Sequence, residues 1–232
     1  MEHPFLYFVY PLELLGLDHL AHLAHEYPQV LYSWVVMAFL LIVGALGAKT
    51  LSMVPNKFQN VFETIISGIE EFMVSVTGEE GRQFFPIAAT IFLYIFFCNL
   101  AGLLPGFFPP TASLNTTLSC AIVVFFMTHY IGIKFHGAHY IAHFLGPVWW
   151  MAPLIMVIEI IGHLARVLSL SFRLFGNMMG KEFILFILFM LAGAFFAPLP
   201  MMALGIFVSF IQAFIFFLLS IMYFSLAMEE AH

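Results

Sequence analysis

Residues 147–197 read PVWWMAPLIMVIEIIGHLARVLSLSFRLFGNMMGKEFILFILFMLAGAFFA, and how this stretch is divided decides the fold. Hydropathy alone cuts it into two membrane spans joined by a loop over residues 166–182. The basic residues argue for one helix. The seven Lys and Arg of the chain are Lys49, Lys57, Arg82, Lys134, Arg166, Arg173 and Lys181. With a single helix over 147–197, the four outside it fall on one side of the membrane. With two spans, Arg166, Arg173 and Lys181 crowd onto the opposite side. Positive charge gathers on the cytoplasmic side, so the single helix is preferred, with the N-terminus outside and the C-terminus inside. At 1.5 Å per residue it is ~70 Å long against ~30 Å of hydrocarbon, so it tilts steeply or bends.

The flanking chain agrees with this reading. Its 232 residues are 63% hydrophobic and 9% charged, with a mean hydropathy of +1.04. Soluble domains run nearer half apolar and a quarter charged, and a chain this short cannot hide so much apolar surface from water. Further spans are expected at residues 30–47, 84–104, 114–133 and 201–227, each near the ~20 residues of a bilayer crossing. Residues 56–77 differ: Val61, Phe62, Ile65, Ile69, Phe72, Met73 and Val76 recur at helical spacing among polar residues. That pattern is an amphipathic helix lying in the interface. The fold class is therefore an all-α integral membrane protein in one domain. It has about five membrane-spanning helices plus one interfacial amphipathic helix, and its last two helices form a long, steeply tilted hairpin over 147–228. Residues 1–29 are read as an external N-terminal segment, and MEHPFLYFVY lacks the cationic start and small-residue cleavage site of a removed signal peptide. Cys98 and Cys120 lie in apolar runs and are expected as buried thiols. The formal charge of −6 is spread singly, with no basic patch for nucleic acid.

Within the long helix, Glu159, His163, Arg166, Ser169, Arg173, Asn177 and Lys181 follow one another by three or four residues, with Glu182 beside the end. They form a polar stripe on one face. Ionisable groups at membrane depth are costly and normally face protein or a water-filled cavity. One such group is as easily structural as functional; seven in register favour an ion path. Arg173 is the sharpest, because arginine stays charged where burial can neutralise a lysine. A fixed cation in a proton path blocks direct leakage and favours the ionised form of a carboxylate brought beside it. Gly162, Ser169 and Gly176 repeat every seven residues next to the stripe, a row that lets another helix approach closely. The last span carries Gly205, Ser209, Gln212, Ser220 and Tyr223 in a matching row.

The run Ser169-Leu170-Ser171-Phe172-Arg173-Leu174-Phe175-Gly176-Asn177-Met178 resembles the signature of subunit a of F-type ATP synthases. Gly81 to Pro86, Thr90, Asn99-Leu100 and Gly102 to Pro105 resemble the family's second span. Thr111, Asn115 and Thr117 resemble the start of the next, and Gln212 to Phe216, Tyr223 and Glu229-Glu230 resemble the last helix and tail. The resemblance implies a proton-translocating stator subunit with no cofactor, in a bacterial inner membrane. Its implied partners are the c-subunit rotor ring, the b-subunit peripheral stalk and the remaining ATP synthase subunits. Arg173 matches the arginine that faces the rotor carboxylate and separates two aqueous half-channels. Gln212 matches the glutamine close to it, and Asn177, Glu182 and Glu159 match positions lining the half-channels. Some relatives pair the acid near Glu182 with a histidine on the last helix, where this chain has Gly205; His163 is the titratable group offered in its place.

Two rival readings stand beside this one. The ten histidines include His19, His22 and His25, and then His136, His139 and His143, at spacings a metal or haem enzyme could use, but no Cys or carboxylate cluster accompanies them. A free-standing ion transporter usually shows paired halves and broken helices, and neither is visible here. Gly176 to Lys181 is one residue short of a phosphate-binding loop and is followed by Glu182 where Ser or Thr is needed, so ATP chemistry is expected from partner chains.

Overall fold

A computed structural model describes residues 26–49, 57–104, 107–137, 140, 152–192 and 198–229. The described residues form six α-helices and no strand. These are α1 (Pro28–Lys49), α2 (Lys57–Thr77), α3 (Phe85–Ala101), α4 (Leu114–His136), α5 (Ala152–Ala192) and α6 (Pro198–Glu229). Short 3-10 turns at Glu79–Phe84 and Pro110–Ala112 lead into α3 and α4. Prolines stand in the first turns of α1, α3, α5 and α6, where the missing N–H is one the helix could not use. Gly137, at φ 57°, ends α4 by returning its N–H to the carbonyl of Ile133 at 2.8 Å.

All but α2 are long and apolar enough to cross a membrane. The described part of the region whose division was at issue is one unbroken helix: α5 has 41 residues, ~60 Å of rise, although Gly162, Gly176 and Gly180 lie inside it, and residues 147–151 and 193–197 lie outside the described residues. Gly176 to Lys181 is thus helical, with its amides committed to helix hydrogen bonds rather than free to cradle phosphate. The amphipathic helix starts at Lys57 and reaches Thr77 as read, and residue 56 lies outside the described residues. So do residues 1–25 of the N-terminal segment.

The centre of the bundle is α3, α4, α5 and α6, with α1 and α2 against its flank. Leu174 and Met178 of α5 share one buried cluster with Phe216, Phe217, Ile221 and Phe224 of α6 and Phe92 and Ile95 of α3. Aromatic contacts run through this core, with Phe92 and Phe217 ring centroids 5.4 Å apart. The ends of the helices are tied as well. Ser225 on α6 donates to the carbonyl of Val76 at 3.2 Å, His136 on α4 meets the carbonyl of Ala227 at 3.1 Å, and Lys134 donates to Gln83. Gly47 of α1 faces Phe62 of α2. These contacts bring Lys49, Lys57, Arg82 and Lys134 to one end of the bundle, called the basic end below.

Gly132 offers a packing test. A Cβ there stands 2.3 Å from the buried ring of Tyr140. Gly132→Ala is expected to destabilise the protein by about 1–3 kcal/mol through overpacking, read as a lower Tm in detergent.

Candidate functional site

The polar stripe on α5 does not keep one environment. His163 and Lys181, near its two ends, are buried in the bundle, while Ser169, Arg173 and Asn177 between them are exposed. The mixture of three- and four-residue steps explains this. Steps of three carry the row from His163 and Arg166 to Ser169 on the outer flank of the 100°-per-residue helix, and the steps of four to Arg173, Asn177 and Lys181 bring it back. The exposed face at the middle also carries Leu168, Phe172 and Gly176. A Cβ built on Gly162, Gly176 or Gly180 meets nothing within 4 Å, so no helix among the described residues packs closely against them. Arg173 stands among them and makes no hydrogen bond or ion pair with any described residue.

Between Arg173 and the far end lies a connected polar group. Asn177 Nδ2 donates to Gln212 Oε1 at 2.6 Å, which links α5 to α6 one turn from the arginine. Gln212 is buried, so its amide is held by Asn177 rather than by the guanidinium. A turn further, Asn99 joins three elements. Its side chain accepts from Thr111 Oγ1 at 2.7 Å and donates to the Ser209 carbonyl at 3.4 Å. Its own carbonyl accepts from Lys181 Nζ at 3.1 Å and from Ser209 Oγ at 3.2 Å. All four residues are buried, and the carbonyl of Asn99 gives the buried Lys181 Nζ the acceptor that makes its burial tolerable. Glu182 is next to Lys181, and its buried Oε1 has no hydrogen-bond partner among the described residues. That oxygen is 3.0 Å from where a Cβ on Gly102 would stand.

The position of Gly205 bears on the missing histidine. A Cβ there falls 2.6 Å from Leu103 Cδ2 and 3.6 Å from Lys181 Cδ, so the stem of Lys181 and Leu103 take the space a larger residue needs. His163 does not share these surroundings. It lies nineteen residues before Glu182 on the same helix, ~28 Å away, so a titratable group there serves a different part of the stripe from that acid.

A second polar group sits toward the basic end. Glu159 Oε1 is 3.3 Å from His163 Nε2, one turn along α5. The guanidinium of Arg166 lies 5.5 Å from the centroid of the Tyr223 ring on α6. His129 of α4 faces His163, with ring centroids 4.8 Å apart. His129 and Thr111 were not singled out by spacing. The signal for His129 is an ionisable residue inside an apolar span, which the cost of burying such groups marks as notable on its own. Among the described residues, no three His, Cys, Asp or Glu side chains are grouped as metal ligands. His19, His22, His25, His139 and His143 lie outside them.

The family model for the ATP synthase A chain matches residues 30–225. The chain is 68% identical to the ATP synthase subunit a of Desulfosudis oleivorans, over the full length of both. It is 57% identical to that of Syntrophobacter fumaroxidans and 50% identical to that of Geobacter sulfurreducens, again over both full lengths. The chain belongs to the ATP synthase subunit a family. With its five long apolar helices, this member of the subunit a family is a multi-pass membrane protein and a membrane-sector subunit of ATP synthase. The arginine motif that carried the resemblance therefore lies on the exposed middle of α5, and the Gln212 segment lies on the helix packed against it.

Proposed function

We infer that this chain is the proton-translocating stator of an ATP synthase. In this reading Arg173 separates two half-channels that serve the carboxylates of a c-subunit ring. The observation that carries it is a permanent cation with no hydrogen-bond or ion-pair partner among the described residues, on an exposed face that includes small residues, between two polar groups. A guanidinium left at membrane depth is costly unless something pairs with it, and a carboxylate on a passing rotor helix is a fitting partner. Small residues at Gly162, Ser169 and Gly176 let that helix come close.

One half-channel runs by Glu182, Asn177 and Gln212, and the other by Glu159 and His163 near the basic end. A proton arriving by one neutralises a ring carboxylate, which can then enter lipid. It leaves by the other after the ring has turned. The hairpin over 147–228 faces the ring, α2 lies in the interface, and residues 1–29 are external. The b-subunit stalk and the other ATP synthase subunits complete the assembly. ATP chemistry belongs to those partner chains, and this subunit is not itself catalytic. Lys49, Lys57, Arg82 and Lys134 at one end favour a bacterial inner membrane orientation with the C-terminus cytoplasmic.

Reconstitution tests the reading. The chain alone in liposomes is expected to carry no proton current, whereas the chain with its ring and stalk conducts protons under a pH gradient. Full conduction by the chain alone would favour a free-standing transporter instead.

A further inference from the structure

We propose that α1 is a positioning element of the half-channel at Glu182: the Tyr32 ring clamps the segment 107–112, and that segment holds Asn99 and the wall beside Glu182 in place. The proposal rests on the half-channel reading above. It adds a helix and a residue, Tyr32, that neither the polar stripe nor the family signature singled out. Of the five membrane-crossing helices, α1 is the least buried. The residues it does bury are Pro28, Tyr32 and Val36, four apart and so on a single face. Its main packing partners are α3 and the turn Pro110–Ala112. Two contacts tie it to α3: the hydroxyls of Ser33 and Tyr94 share a hydrogen bond of 2.8 Å, and the rings of Phe39 and Phe97 lie 5.4 Å apart. Tyr32 ties it to the turn instead. It is fully buried, and its ring centroid is 4.2 Å from that of Phe107, which leads into the turn.

The clamped segment is stiff and enclosed. Pro109 and Pro110 fix two of its φ angles. The Ala112 N–H donates to the Pro109 carbonyl at 3.0 Å, and that of Ser113 to the Pro110 carbonyl at 3.1 Å. Pro109, Pro110, Thr111 and Ala112 are all buried, with α1, α3, α4 and α5 packed on the turn. A stiff turn moves as a unit, so a displacement at Phe107 is passed on to what the turn touches. It touches the Glu182 group twice. Thr111 Oγ1 donates to Asn99 Oδ1 at 2.7 Å, and the carbonyl of Asn99 is the acceptor of Lys181 Nζ at 3.1 Å. Pro109 and Glu182 also crowd the same glycine: a Cβ on Gly102 would stand 2.6 Å from Pro109 Cβ and 3.0 Å from Glu182 Oε1. The turn that Tyr32 holds therefore bounds the space of the Glu182 carboxyl and fixes the acceptor of the ammonium next to it. Tyr32 acts on the path through these residues and is not itself part of it.

The experiment measures passive proton conduction by the assembled membrane sector in liposomes as a function of external pH. Tyr32→Ala removes the ring that meets Phe107. It is expected to lower conduction by roughly ten- to a hundred-fold, the scale on which a small misplacement from a distance acts, and to displace the pH profile. Thr111→Val cannot donate to Asn99 and should displace the profile in the same sense. The double variant should be no worse than the poorer single one, because both changes act through one chain of contacts. Tyr32→Phe keeps the ring and should retain most of the rate. Ser33→Ala removes the hydrogen bond to α3 alone and should leave rate and profile as in the wild type. Wild-type conduction in Tyr32→Ala overturns the proposal. So does a lowered rate with an unmoved pH profile, additive losses in the double variant, or a profile displaced as far by Ser33→Ala, each of which makes α1 an anchor only. A loss as large in Tyr32→Phe as in Tyr32→Ala overturns the ring as the clamp. Should Tyr32→Ala not assemble, Phe107→Leu loosens the contact from the other side and is read by the same criteria. Glu182→Gln in the same preparation keeps the two ideas apart. If it conducts like the wild type, the half-channel reading fails whatever Tyr32 does. If it is blocked while the Tyr32 and Phe107 variants conduct normally, only the clamp fails.

Discussion

Arg173→Ala is expected to reduce ATP-driven proton pumping in inverted vesicles to the background of membranes without the complex, with the complex still assembled. Arg173→Lys should do the same. A lysine ammonium keeps charge in water but is readily neutralised when desolvated, and it lacks the planar fork with which a guanidinium holds a carboxylate. What makes the prediction sharp is that no polar contact among the described residues is there to lose. Arg173 has no hydrogen bond or ion pair within the described residues, so neither change should move the Tm of the purified chain by more than about 0.5 kcal/mol equivalent, the range for surface substitutions. Activity lost with stability kept assigns the residue to coupling. Full pumping in either variant would remove Arg173 as the barrier between half-channels.

Glu182→Gln should be nearly as damaging, with pumping reduced to a small residue of the wild-type rate. The amide has almost the shape of the acid and can fill the same space. A carboxyl whose role was packing would therefore tolerate the change, particularly since its Oε1 has no hydrogen bond to break among the described residues. A carboxyl that must take up and release a proton cannot. Glu182→Asp should retain part of the rate. Gly102→Ala gives an independent reading of the same spot, because its Cβ would stand 2.6 Å from Pro109 and 3.0 Å from Glu182 Oε1. It should lower pumping without removing any titratable group. Wild-type pumping in Glu182→Gln would exclude the acid from the path.

The helices were legible in the sequence because the chain spells them in hydropathy, and α5 was legible as one helix only through its charges. No local signal separates a buried polar helix from two spans joined by a basic loop; the distribution of Lys49, Lys57, Arg82 and Lys134 does. Residues 159, 173, 177, 182 and 212 were singled out by the stripe and by the family signature. The contacts among them were not. Spacing along α5 says that Asn177 and Lys181 share its stripe, but only packing says that Asn177 holds Gln212 and that Lys181 reaches the carbonyl of Asn99. The suggestion that His163 supplies a titratable group in place of a histidine beside Glu182 now has a distance attached: the two residues stand ~28 Å apart along α5. His129 escaped notice because it stands alone in its span, and its relation to His163 arises from the antiparallel packing of α4 on α5.

The unpartnered guanidinium also bears on how the cell handles this subunit. A charged arginine at the centre of a membrane helix adds roughly 2.5–3.5 kcal/mol to the cost of insertion on translocon scales. In the proposed reading, that cost goes uncompensated until a ring docks. Newly made copies in excess of rings should therefore be the ones that membrane proteases clear, holding the subunit at the number of assembled rings without any dedicated regulator.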